Sequence, residues 1–170
     1  GMFAFALWDA RRRRLFLARD RLGVKPLYFT HTHESLLFAS EIKALLAITG
    51  PPALDELALL EWSLYGDVLP PRTLFREIRT LGPGYLLRVD KDGRTQEFAY
   101  YDPANVVDPA LYAEYAARST PELLDILEST IDHAVRSHIN GRPEVGVMLS
   151  GGVDSAVIGA LAARHAKVRA

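Results

Sequence analysis

The chain has 170 residues, and its 20 Lys and Arg against 21 Asp and Glu leave a formal net charge of −1, which removes any whole-chain electrostatic case for nucleic acid or an anionic membrane. Hydrophobic residues at 49% and charged residues at 24% match a globular chain able to bury a core, and no apolar run approaches the roughly 18 residues that span a bilayer. The count of zero Cys excludes disulfides, thiolate zinc sites and any cysteine nucleophile supplied by this chain.

A soluble, cytoplasmic protein is expected, with no nucleic-acid and no membrane partner. Residues 2–8 are apolar on both faces of a strand, so this strand is expected to be covered on both sides. A polar turn at residues 9–13 and a second apolar run at 15–18 complete a hairpin. The basic run Arg11 to Arg14 reads as its solvated end rather than a nucleic-acid patch. Residues 27–30 and 36–39 form another strand pair across a polar stretch that holds His31 and His33, read as turn residues rather than metal ligands. Between the pairs, residues 19–28 read as a structural turn in which Gly23 and Pro26 fix the backbone. A helix over 41–48 is expected with Ser40 as N-cap and Gly50-Pro51-Pro52 as its stop, and a second over 56–64 with Asp55 as N-cap.

Pro70-Pro71 and Gly82-Pro83-Gly84 break the chain, and residues 85–89 and 95–101 flank an Asp92-Gly93 turn as a hairpin. Residues 102–119 carry Pro103 and Pro109 without a sustained pattern and read as a linker with a short helix at 111–117. A long helix is expected to start at Thr120-Pro121-Glu122, a capping hydroxyl followed by a proline and an early acid. Its apolar stripe, Leu123, Leu127, Ile131, Val135 and Ile139, repeats every four residues, and Asn140-Gly141 ends it. His133 and His138 lie beside that stripe and read as packing or surface residues. Residues 145–149 read as a parallel strand buried on both faces, and a last helix is expected over 154–165. This part therefore reads as the beginning of a doubly wound α/β domain with a single strand.

The loop between that strand and helix, Ser150-Gly151-Gly152-Val153-Asp154-Ser155, sits where α/β folds place ligands. Adjacent glycines let successive N–H groups converge on an anion without an intervening Cβ, and a helix N-terminus adds to the attraction. Ser150 and Ser155 offer hydroxyls. Asp154 beside phosphates calls for a divalent cation, so the loop predicts magnesium-bound nucleotide. Chance would produce five such specified positions on the order of one time in several thousand. The loop matches neither the Walker A nor the dinucleotide-binding pattern, and Met148 breaks that of a nucleophile elbow.

Ser150 to Ser155 resembles the pyrophosphate loop of the ATP pyrophosphatase superfamily. Upstream, Gly1-Met2-Phe3-Ala4-Phe5-Ala6-Leu7-Trp8-Asp9, then Ala18-Arg19-Asp20-Arg21-Leu22-Gly23-Val24-Lys25-Pro26-Leu27-Tyr28, then Phe38-Ala39-Ser40-Glu41-Ile42-Lys43-Ala44-Leu45 resemble the second half of the glutaminase domain of glutamine-hydrolysing asparagine synthetases. Pro71-Arg72-Thr73-Leu74-Phe75 and Gly82-Pro83-Gly84-Tyr85 continue the match. The resemblance implies an α+β part followed by an α/β part: part of an N-terminal nucleophile αββα sandwich (residues 1–101, with an interdomain hairpin), a linker (102–119), and the start of an ATP-binding synthetase domain (120–170). It implies ATP-dependent amidation of aspartate through a β-aspartyl-AMP intermediate, with ATP, aspartate and glutamine as substrates and Mg2+ as cofactor. Leu149 would touch the adenosine part of ATP, Ser150, Gly151, Gly152, Val153, Asp154 and Ser155 would hold the pyrophosphate, and Asp154 would face the metal. The family's glutaminase nucleophile is an N-terminal cysteine, so no catalytic residue is assigned in this chain. An internal fragment is expected, with neither half-reaction expected of it alone. A related amidotransferase acting on another carboxylate, of polysaccharide gene cluster or β-lactam synthetase type, and a non-catalytic nucleotide-binding module are the alternatives. A homodimer is the generic oligomeric expectation.

Overall fold

A computed structural model describes residues 1–169, and the chain divides into two compact units between Val106 and Val107. In the first unit the strands are β1 (Ala4–Asp9), β2 (Arg14–Arg19), β3 (Tyr28–His31), β4 (Leu36–Ala39), β5 (Ile78–Thr80), β6 (Tyr85–Val89) and β7 (Thr95–Ala99), with helices α1 (Ile42–Thr49) and α2 (Glu56–Tyr65) between β4 and β5. They make two antiparallel sheets, ordered β1-β2-β6-β7 and β4-β3-β5. Leu17 and Leu87 from the first sheet pack with Leu27, Phe29 and Leu81 from around the second, so the sheets stack face to face over one core. Helix α1 packs on β3 and β4 and buries Leu45.

Strand β1 departs from expectation. Among the described residues it is an edge strand paired only with β2, and Phe5, Leu7 and Trp8 are 46%, 56% and 58% exposed rather than covered on both sides. The three residues of β5 were not anticipated, because one period of alternation around the exposed Arg79 is too short to register as a strand. Helix α1 starts one residue late: Glu41 takes the N-cap position instead of Ser40, and no side chain caps it. Asp55 caps α2 as expected, accepting from the N–H groups of Leu57 and Ala58 at 3.0 and 3.1 Å. Strand β7 ends at Ala99, two residues early. The adjacent Tyr100 turns its hydroxyl to the carbonyl of Arg19 at 2.6 Å.

The second unit contains α3 (Pro109–Ala116), α4 (Thr120–Ile139), β8 (Glu144–Gly146), α5 (Val153–Ala162) and β9 (Lys167–Arg169). Asp108 caps α3, and Pro109 occupies its first turn, where a missing N–H costs nothing. The cap of α4 is Ser119, one residue before Thr120. The Glu122 carboxylate accepts from the Ser119 N–H at 2.8 Å and from its hydroxyl at 2.6 Å, and these bonds hold the Glu122 pKa below its ordinary value. Only the C-terminal part of the predicted stripe is buried: Val135 and Ile139 join Leu161 and Ala162 in a core flanked by Ile131, Val145, Val147, Ala166 and Val168. Leu123 and Leu127 stay 36% and 54% exposed.

The sequence predicted one parallel strand here, and two are present. Strand β9 pairs parallel to β8, completing a β8-α5-β9 crossover that three residues, a valine between two cations (Lys167-Val168-Arg169), do not announce. Strand β8 is shorter than residues 145–149 and is half exposed rather than buried on both faces, since β9 is its one paired neighbour among the described residues. Val147 still bonds to the Arg169 carbonyl at 2.8 Å, but Met148 has left the sheet and is 95% exposed. Helix α5 begins at Val153 and ends at Ala162, three residues before His165.

Candidate functional site

Residues 147–152 join β8 to α5, so the stretch from Leu149 to Ser155 covers the end of that connection and the first residues of a ten-residue helix, beyond the carboxyl end of the strand. Its two glycines do different things. Gly151 has φ +80°, a left-handed conformation that other residues adopt only with strain. Gly152 is the N-cap of α5 with ordinary extended angles, φ −86° and ψ 163°. The loop is tied by one hydroxyl: Ser155 Oγ donates to the Gly152 carbonyl at 3.1 Å and accepts from the Ser150 N–H at 3.2 Å, and it lies 3.0 Å from Ser150 Oγ. The first backbone bond into the helix runs from Ala156 N–H to the Gly152 carbonyl at 3.2 Å. The N–H groups of Gly152, Val153, Asp154 and Ser155 precede that bond and donate to no backbone carbonyl among the described residues, leaving them for an anion.

Asp154 is exposed in the first turn of α5. No cluster of three or more His, Cys, Asp or Glu suited to a metal occurs among the described residues, so a cation at Asp154 would take its other ligands from water and phosphate oxygens, a donor set that suits magnesium. Free N–H groups, two hydroxyls and one carboxylate thus fit a magnesium-bound polyphosphate. Leu149 is 54% exposed and packs against Gly159 of α5, where an added Cβ would lie 3.3 Å from Leu149 Cδ2. Gly159 was not singled out from the sequence, although a glycine inside a helix is a signal of close approach. A concavity of about 510 Å³ lies elsewhere in this unit, between α4, β8 and α5, and none of residues 149–155 lines it.

In the first unit, Arg19 to Tyr28 is the structural turn expected. Arg19 donates from Nε to the Lys25 carbonyl at 2.9 Å, from Nη1 to the Leu81 carbonyl at 2.8 Å and Thr80 Oγ1 at 3.2 Å, and from Nη2 to the Gly23 carbonyl at 2.7 Å. Asp20, 2% exposed, accepts from the N–H groups of Phe3, Leu22, Val24 and Lys25 at 3.3, 3.2, 3.0 and 2.9 Å. Burial alone would raise the Asp20 pKa, but these four donors outweigh it and hold the carboxyl below its ordinary range. Burial, helped by the Asp20 charge, raises the pKa of Tyr100. Asp9 closes the β1-β2 turn over Arg11 and Arg12, accepting from both N–H groups at 3.0 Å.

The described residues thus form two antiparallel sheets in the first unit and a strand, glycine loop, helix and parallel strand in the second. Residues 1–101 match the glutamine amidotransferase domain, and residues 127–170 match asparagine synthase. A putative glutamine-hydrolysing asparagine synthetase of Mycobacterium tuberculosis (strain ATCC 25618 / H37Rv) is 35% identical over 97% of this chain and 25% of its own length. Glutamine-hydrolysing asparagine synthetase 3 of Bacillus subtilis (strain 168) is 37% identical over 97% of this chain and 26% of its own. Amidase chyE of Penicillium rubens is 32% identical over 96% of this chain and 23% of its own. The chain belongs to the glutamine-hydrolysing asparagine synthetase family. It spans about a quarter of the length of the curated relatives it matches.

Proposed function

We propose that this chain serves in a glutamine-dependent carbon–nitrogen ligase, the asparagine synthetase reaction, contributing the ATP pyrophosphate loop and part of the glutaminase scaffold. The observation that carries the reading is the loop itself: a left-handed Gly151, a hydroxyl tie from Ser155 and four free N–H groups at the start of α5. A carboxylate has no adequate leaving group until it is activated. Transfer of AMP from ATP to the aspartate side chain makes a mixed anhydride and releases pyrophosphate, and ammonia from glutamine then displaces AMP. In this reading the N–H groups of Gly152, Val153 and Asp154 stabilise the charge that develops on the departing pyrophosphate, with Ser150 and Ser155 positioning its oxygens. Asp154 holds the magnesium ion, which when bound neutralises phosphate charge. Leu149 faces the adenosine, backed by Gly159.

The stacked antiparallel sheets, with α1 on one of them, support assigning residues 1–101 to an N-terminal nucleophile sandwich, and the parallel β8-α5-β9 crossover supports assigning 120–170 to the ATP pyrophosphatase domain, with 102–119 as the linker. A second reading of the acceptor, in which a carboxylate other than aspartate is amidated by the same chemistry, stands beside it because a relative 32% identical carries a name other than asparagine synthetase. The test is pyrophosphate release from magnesium-ATP by the protein expressed from the reading frame that encodes this chain. Release dependent on aspartate, and lost in Gly152→Val, supports the reading. Release dependent on another carboxylate selects the second reading, and undiminished release in Gly152→Val removes the loop from the reaction.

A further inference from the structure

The chain contains two asparagines, Asn105 and Asn140, in opposite chemical settings. Asn105 lies in a short 3-10 turn (Pro103–Asn105), its amide donates to Asp102 Oδ2 at 2.9 Å, and the β-branched Val106 follows it. Asn140 is exposed at the C-terminal end of α4 in the left-handed conformation, φ 49° and ψ 45°, and Gly141 follows it. Gly141 is also exposed, a Cβ added there would meet nothing within 4 Å, and its N–H donates no hydrogen bond among the described residues. An unencumbered peptide nitrogen thus follows a side-chain amide at a helix end, where fraying is easiest.

We propose that Asn140 is a site of spontaneous deamidation through a succinimide. The Gly141 nitrogen, losing its proton, forms a bond to Asn140 Cγ, and the side-chain nitrogen leaves with that proton as ammonia. Water then opens the ring at either carbonyl, giving aspartate or isoaspartate and consuming one water overall. Ring closure requires the left-handed cap to relax, so the reaction reads out local opening of the last turn of α4. Both products put a carboxylate at the negative end of the helix dipole. Isoaspartate also lengthens the backbone between Ile139, a core residue, and Pro143, whose carbonyl accepts from Lys167 N–H at 2.9 Å beside β9.

The test is ageing of the intact chain in neutral buffer at physiological temperature, followed by peptide mass mapping and detection with an isoaspartyl-specific methyltransferase. The expected result is conversion at Asn140 with Asn105 unchanged, none at this position in Asn140→Gly, which keeps a residue suited to the left-handed cap, and faster exchange of the Val145 and Val168 amides in the aged protein. An amide retained at Asn140 while a short peptide spanning Asn140 and Gly141 loses its own would overturn the proposal, as would equal conversion at Asn105.

Discussion

Replacing Asp20 removes the acceptor of four backbone N–H groups at 2.9–3.3 Å in a place that is 2% exposed to water. Leaving a buried donor unpaired costs about 1–2 kcal/mol, but Leu22, Val24 and Lys25 are exposed and water can reach their N–H groups, so Asp20→Ala is expected to destabilise the first unit by about 2–4 kcal/mol. Asp20→Asn retains one acceptor oxygen but turns an NH2 towards donors and is expected to cost about half as much. The assay is urea unfolding combined with amide exchange. The Leu17 and Leu87 amides report opening of the whole unit, while those of Phe3, Leu22, Val24 and Lys25 report the turn alone. The carboxyl also sets a pH dependence. Its folded pKa lies below the unfolded value of about 3.9, so within that window the unfolded chain binds more protons than the folded one. The stability it contributes is complete above about pH 5 and is lost as pH falls through the folded pKa, and Asp20→Asn should flatten this part of the acid transition. A cost below about 1 kcal/mol for Asp20→Ala, or an unchanged acid transition in Asp20→Asn, would refute the reasoning.

Phe29→Ala, at a side chain 1% exposed between the two sheets, is expected to cost about 3–5 kcal/mol in urea unfolding of the first unit. Asp55→Ala orphans the Leu57 and Ala58 donors at the start of α2 and should cost about 1 kcal/mol, read as a lower unfolding midpoint with an unchanged slope. Leu161→Ala opens the core between α4 and α5 and is expected to cost about 2–5 kcal/mol, seen as faster exchange at Val135 and Ile139.

What could be read from the sequence was what local rules decide. The cap at Asp55, the β6-β7 hairpin around Gly93 and the long α4 with its stop at Asn140 depend on side chains acting within a few residues, and they fall where expected or within a residue or two. Strands β5 and β9 were not legible, because three residues carry too little periodicity and their pairing is set by distant partners, β3 and β8. Burial was misjudged for the same reason. The apolar pattern of β1 and of the first half of α4 marks faces that favour covering, whereas the exposures of Leu7 and Leu127 depend on which elements lie beside them. At the candidate loop, paired glycines and the helix start were visible in the residues, but the separate conformations of Gly151 and Gly152 and the tie made by Ser155 required the backbone. Three of the four donors to Asp20 follow it within five residues, whereas the Phe3 N–H reaches it from across the hairpin, a partner that no local rule announces.

The central claim is that the Ser150 to Ser155 loop holds magnesium-bound pyrophosphate during an ATP-dependent amidation. Its most direct test is aspartate-dependent pyrophosphate release from magnesium-ATP by the protein encoded by the whole reading frame, compared with the same protein carrying Asp154→Asn. Because Asp154 is exposed, the substitution should leave the fold intact while lowering release about a hundredfold or more, ~2.7 kcal/mol of transition-state stabilisation. Full pyrophosphate release by Asp154→Asn would contradict the account.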